Sequence, residues 1–218
     1  MFLKSFCGSW YAIAMAKSGE QVKGAWEMKD QIDVLTCIDT LGDADSIRER
    51  INGVLELCKE IRPGSGMLFA IPDGADVSQM PGDARVEFLY VPTYKAAAFL
   101  ITCKVNFGNK FPNDDETRHK FGAVLLACTG RNMRGHGYEA LEGLVDCLEI
   151  LFRSPLKKFL ELHDSEYPEF AACVKKSVET LHGIAGGTET SAWGKNNDLV
   201  ARAKQLISDW ENGLYVNA

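Results

Sequence analysis

Tyr138-Glu139-Ala140-Leu141-Glu142-Gly143-Leu144-Val145-Asp146-Cys147-Leu148-Glu149-Ile150-Leu151-Phe152 decides the fold class. Leu141, Leu144, Val145, Leu148 and Leu151 recur at steps of three and four, which puts them on one face of an α-helix. A helix with a single apolar stripe has to bury it against other elements. The sequence on both sides offers mostly further helices.

Downstream, Ser154-Pro155 predicts an N-cap followed by proline at the first helical position, opening a short helix with Leu156, Phe159 and Leu160 inward. Pro168 starts another through Phe170, Val174, Val178 and Leu181. Gly183, Gly186 and Gly187 with Thr188, Thr190 and Ser191 mark a link to a last helix at 197–213. That helix carries Leu199, Ala203, Leu206, Ile207 and Trp210 on the side that docks back.

Upstream, Asn113-Asp114-Asp115-Glu116 predicts a helix start, followed by an apolar face of Phe121, Val124, Leu125 and Cys128. A further helix is expected from Pro92, with Tyr94, Ala97, Ala98, Ile101 and Val105 sharing a face and Gly108 at its end. Earlier still, Ser46-Ile47-Arg48-Glu49 has the form of a capping box. Its helix buries Ile47, Ile51, Val54, Leu55, Cys58 and Ile61 and stops at Pro63 and Gly64. Weaker helical character lies at 9–17 and 26–41. Residues 62–92 are irregular, and Met67–Ile71 with Val86–Val91 are expected to pair as a short β-hairpin near 67–91. The domain reading is a helical unit at 1–187 with an irregular insertion at 62–92, then a linker and C-terminal docking helix at 188–218.

Bulk properties bound the function. The chain has 218 residues, 46% hydrophobic and 25% charged, enough for a substantial core. A net charge of −6 argues against nucleic acid as partner, because phosphate neutralisation needs a basic face. No apolar run approaches the ~20 residues that cross a bilayer, so no membrane partner is expected. Met1–Ala16 reads as an ordinary first helix, since Gly8, Ser9 and Trp10 interrupt the run a signal peptide needs. Cys7, Cys37, Cys58, Cys103, Cys128, Cys147 and Cys173 are dispersed without a CxxC pair, which predicts buried free thiols and a cytoplasmic location.

Two helical stretches echo each other. Tyr94-Lys95-Ala96-Ala97-Ala98-Phe99-Leu100-Ile101-Thr102-Cys103 aligns with Tyr138–Cys147 at an offset of 44 residues, sharing Tyr, Ala, Leu and Cys. Antiparallel helical hairpins repeated at that length are one reading. Pro92-Thr93-Tyr94-Lys95-Ala96-Ala97-Ala98, after a Gly-rich loop, loosely resembles the inner helices of α/α-toroid proteins over residues 64–153. The DxDD motif and Gln-Trp repeats of terpene cyclases in that class are absent, as is a prenyltransferase zinc triad. The resemblance therefore implies architecture and no site residues.

Chemistry concentrates in Thr129-Gly130-Arg131-Asn132-Met133-Arg134-Gly135-His136-Gly137-Tyr138-Glu139. Gly135 and Gly137 allow close backbone approach to a ligand, and the chain then enters a helix N-terminus at Tyr138, where free amides favour an anion. Arg131 and Arg134 suit a carboxylate or phosphate. His136 is the acid/base candidate, oriented by Glu139. Asp73 and Asp76 are assigned to the same rim, where the repeat reading places aspartates opposite arginines. With Asp83 they match no EF-hand spacing, so no metal is expected, and the cofactor is left unknown. Cys128 with His136 is a thiol alternative, while His119, His163 and His182 read as surface or capping residues.

Two function classes stand on these residues. One is a soluble helical protein that binds a small anionic ligand or an acidic protein group at this loop, with catalysis by His136 and Glu139 left open. The other is a helical-hairpin interaction module without catalytic activity, in which the loop only shapes a rim.

Overall fold

The computed structural model describes residues 44–71, 76–77, 82–132, 138–190 and 196–213. Asp73 and the helices expected at 9–17 and 26–41 lie outside them. The described residues form seven α-helices and one two-stranded antiparallel sheet, so the protein is mainly helical. In chain order these are α1 (Ala44–Leu57), β1 (Cys58–Glu60), β2 (Leu68–Ala70), α2 (Gly82–Asn106), α3 (Asp115–Asn132), α4 (Tyr138–Leu151), α5 (Leu156–His163), α6 (Pro168–Gly186) and α7 (Asn197–Asn212).

The face read from the sequence of α1 is buried as expected, with Ile47, Ile51, Val54 and Leu55 at 4% exposure or less. Ser46 lies inside α1, not ahead of it, because the helix starts at Ala44. The end of this segment differs from expectation. Cys58–Glu60 leaves the helix and pairs with β2 in the register Cys58↔Ala70, Lys59↔Phe69, Glu60↔Leu68. The apolar period concealed this change, since Cys58 faces inward in either geometry. The turn is closed by the Glu60 carboxylate, which accepts from the Gly66 amide (3.0 Å) and the Ser65 hydroxyl (3.3 Å). Gly64 and Gly66 take φ of 78° and 66°, a region that disfavours other residues.

A β-hairpin therefore exists, but its partners are 58–60 and 68–70, and Val86–Val91 is helical. It lies within α2, a helix of 25 residues that runs through Pro92 instead of starting there. Proline removes one backbone donor and costs about 3 kcal/mol in a helix interior, so tertiary packing has to outweigh it. Leu89, Thr93, Tyr94, Ala96, Ala97, Phe99, Leu100 and Ile101 are all buried, which identifies α2 as the hub of the core. It packs on α1, β2, α3, α4 and α5. Thr93 ties it to the hairpin: the Ala70 amide donates to Thr93 Oγ1 (3.1 Å), which donates to the Leu89 carbonyl (2.6 Å).

Asp114 caps α3 as expected, accepting from the Thr117 amide and hydroxyl, each at 2.8 Å. Ser154 does not cap α5; its hydroxyl donates back to the Leu151 carbonyl at 2.5 Å and closes α4 instead. Proline begins α6 as predicted. That helix continues through Gly183 and Gly186, and Gly187 closes it in the left-handed region at φ 77°. Phe121 of α3 meets Phe111, Phe159 and Tyr167 at ring-centroid distances of 5.3–5.8 Å, joining the starts of α3 and α6 to α5. The echo between Tyr94 and Tyr138 does not mark equivalent helix starts, because Tyr94 is deep inside α2 and Tyr138 opens α4.

Candidate functional site

The stretch expected to be one loop is built differently. Thr129, Gly130, Arg131 and Asn132 are the last turn of α3, and Tyr138 and Glu139 are the first turn of α4. The connection shortens to residues 133–137. Arg134, Gly135, His136 and Gly137 lie outside the described residues.

Other helices donate to two carbonyls near the end of α3. The last four C=O groups of a helix, here from Thr129 on, lack intrahelical donors. The Tyr94 hydroxyl, carried by α2, donates to the Cys128 carbonyl. The Cys173 thiol, carried by α6, donates weakly to the Thr129 carbonyl at 3.8 Å. The Thr129 hydroxyl turns back to the Leu126 carbonyl at 2.7 Å. Desolvation pushes the Tyr94 phenol well above its ordinary value, with the neighbouring thiols Cys147, Cys128 and Cys173 adding to the shift, so it stays a neutral donor.

Arg131 and Glu139 flank the connection. Asp76 is exposed beyond β2.

The thiol alternative fails on physical grounds. Cys128 is 1% exposed, and burial drives its pKa well above the usual thiol range, so no reactive thiolate forms there. Cys58 and Cys103 are likewise pushed up to about 12 by desolvation. Cys58, Cys103, Cys128, Cys147 and Cys173 are all buried and none of them is in a disulfide, as the dispersed spacing predicts. Among the described residues no group of three or more His, Cys, Asp or Glu side chains is arranged to hold a metal ion. Nor is any helix among them long and apolar enough to cross a membrane.

Two polar clusters escaped the sequence reading. In one, His163 Nδ1 lies 3.0 Å from Glu166 Oε2, and the Tyr167 hydroxyl donates to Glu166 Oε1, also at 3.0 Å. This pairs His163 with the turn between α5 and α6 through side chains alone, while His119 and His182 are exposed. In the other, Arg202 of α7 donates from Nε to Glu149 (2.8 Å) and from Nη2 to Asp146 (2.5 Å), both on α4. Asn196 Nδ2 donates to Glu142 Oε1 on the same helix at 3.2 Å. Glu142, Asp146 and Glu149 recur at helical spacing, so the stripe was legible. Its partner across 53 residues or more was not.

No protein-family model, no curated protein and no solved structure matches this chain.

Proposed function

We propose that the α3–α4 junction binds a small anionic ligand, a phosphate or carboxylate compound or an acidic protein group, with Arg134 and His136 as its principal contacts. Arg131 and the first amides of α4 at Tyr138 add positive potential, Gly135 and Gly137 permit close approach, and Asp73 and Asp76 belong to the rim. If the ligand reacts, His136 is the proton-transfer group and Glu139 its orienting partner. The observation that carries this reading is the pinned end of α3. The Tyr94 hydroxyl donates to the Cys128 carbonyl and the Cys173 thiol to the Thr129 carbonyl, which ties the end of α3 to two other helices just before a stretch whose sequence carries glycine, arginine and histidine. The buried free thiols support a reducing, cytoplasmic setting for it.

An interaction module receives less support. Leu162, at 60% exposure, is the one large hydrophobic side chain left exposed among the described residues, and an apolar docking groove needs a contiguous patch.

A thermal-shift series with phosphate and citrate tests the reading. Stabilisation that saturates with ligand is expected for the native chain and is abolished in Arg134→Ala and His136→Ala. The unliganded melting temperatures should stay within about 2 °C of native, as for surface substitutions. If both variants melt far below the native chain, the connection serves architecture and the reading fails.

A further inference from the structure

Where α2 ends, positive charge gathers on one surface. The helix stops at Asn106, and residues 107–111 form a turn in which the Lys110 and Phe111 amides donate to the Phe107 carbonyl at 2.8 and 3.0 Å. Lys104 Nζ lies over the Phe111 ring, 5.2 Å from its centroid, and Lys110 Nζ lies over the Phe107 ring at 5.8 Å. Arg48 reaches across from α1 and donates from Nε to the Lys110 carbonyl at 3.2 Å. Three cations from α1, α2 and the turn are thereby drawn together.

A cluster of this kind is ordinarily neutralised by neighbouring acids, and here it is not. The acids that follow in the chain are engaged by α3 itself. Asp114 accepts from Thr117, Asp115 pairs with Arg118, and Glu116 pairs with Lys120 at 2.6 Å. Among the described residues no carboxylate pairs with Arg48, Lys104 or Lys110. The chain as a whole carries a net charge of −6, so this surface runs against the overall balance. Both lysines are half-buried, with their stems against the protein and their ammonium groups held over ring faces. Little side-chain freedom is then left to lose when an anion arrives.

The rings also say which anion fits. Single-stranded nucleic acid is gripped by stacking its bases on bare aromatic faces. Phe111 is 4% exposed, and Phe107 is covered by Lys110. The net negative charge further opposes a long polyphosphate. A short run of carboxylates meets mainly the local field, because screening confines it to about 8 Å at physiological ionic strength.

We propose that the surface formed by Arg48, Lys104 and Lys110 docks an acidic segment of a partner protein, a run of Asp or Glu side chains. It lies ahead of the first turn of α3, whereas the α3–α4 junction follows its last. The 18 residues of α3 separate the two by roughly 27 Å at 1.5 Å per residue.

Fluorescence anisotropy with a labelled oligoglutamate peptide, on the full chain at physiological salt, tests this. The native chain should bind saturably, and an oligoglutamine peptide should not bind. Lys104→Gln with Lys110→Gln should weaken binding about tenfold or more, and Arg48→Gln, acting from a different helix, should weaken it in the same direction. Lys104→Arg with Lys110→Arg should restore it. Lys157→Gln with Lys158→Gln removes two exposed lysines from α5 and should change nothing, and Arg134→Ala at the α3–α4 junction should be equally silent. The proposal is overturned if the native chain does not bind, if the glutamine peptide binds as well, or if the arginine pair fails to restore binding. It is equally overturned if the α5 or Arg134 variants weaken binding as much as the lysine pair. An oligouridylate that binds more tightly than oligoglutamate through the same lysines would overturn it in favour of a nucleic-acid partner.

Discussion

Two seams between helices in this protein solve the same problem in opposite ways. Where α2 and α6 meet the end of α3, the polar contacts are neutral and buried: a phenol, a thiol and backbone carbonyls. Where α7 meets α4, they are charged and partly solvated. A neutral buried donor adds little net energy but is costly to leave unpaired, and salt does not reach it. A half-exposed ion pair is worth less when intact and fades with ionic strength. The first seam is therefore indifferent to salt, and the second is not.

Substitutions at the neutral seam should have the largest effect. Tyr94 is 1% exposed in the hub of the core, and Tyr94→Ala should cost about 3–5 kcal/mol in urea unfolding, the range for deleting a buried aromatic ring. Tyr94→Phe keeps the ring and removes the donor to Cys128, so a loss of roughly 1–2 kcal/mol is expected, equal at low and high salt. A strong salt dependence for Tyr94→Phe would erase the distinction between the two seams.

At the charged seam, Arg202→Ala should cost about 1–2 kcal/mol at low salt, between the values typical of exposed and of buried pairs. The difference from native should shrink by half or more at 1 M sodium chloride. Asn196→Ala comes next, at roughly 1 kcal/mol for the lost N-cap, with little change on adding salt. The unfolding midpoint in urea at two salt concentrations reports all of these.

The smallest effect concerns exposed caps that belong to neither seam. The Thr117 amide, then its hydroxyl, hold the Asp114 carboxyl below its ordinary value of 3.8. A depressed carboxyl contributes stability above the unfolded value and loses it as pH falls through the lower folded one. Native stability should therefore decline slightly more than that of Asp114→Asn between pH 5 and about pH 3, as followed by urea midpoints. Equal declines would remove the cap from the account.

What could be read from the sequence follows from how many sides each element buries. α1 and α4 bury one stripe, so Ile47, Ile51, Val54 and Leu55, or Leu141, Leu144, Val145 and Leu148, announce themselves at helical spacing. From Leu89 to Cys103 α2 is buried on most of its surface, with Ala96, Ala97, Phe99, Leu100 and Ile101 in succession apart from Ala98. That erases the period and leaves Pro92 as the loudest local signal, which pointed to a start where the helix continues. Gly130 similarly signalled a loop, but α3 continues past it to Asn132, and the Tyr94 hydroxyl and Cys173 thiol that meet the Cys128 and Thr129 carbonyls are far away in sequence. The strand Cys58–Glu60 was hidden inside an apolar period, and its true partner lay nearer than Val86–Val91. For the candidate site, residue types and the start of α4 at Tyr138 were legible, whereas the end of α3 was not, because the helix runs on to Asn132.

The proposed site can be read directly through its histidine. The chain has four histidines, so an ¹H–¹³C spectrum with His136→Ala as the assignment control resolves His136 from His119, His163 and His182. On titration with phosphate or citrate at constant pH and ionic strength, the His136 resonance should move along a saturable curve while the other histidines stay in place. An unmoved His136, or four resonances drifting together without saturation, would contradict a bound anion at the α3–α4 junction.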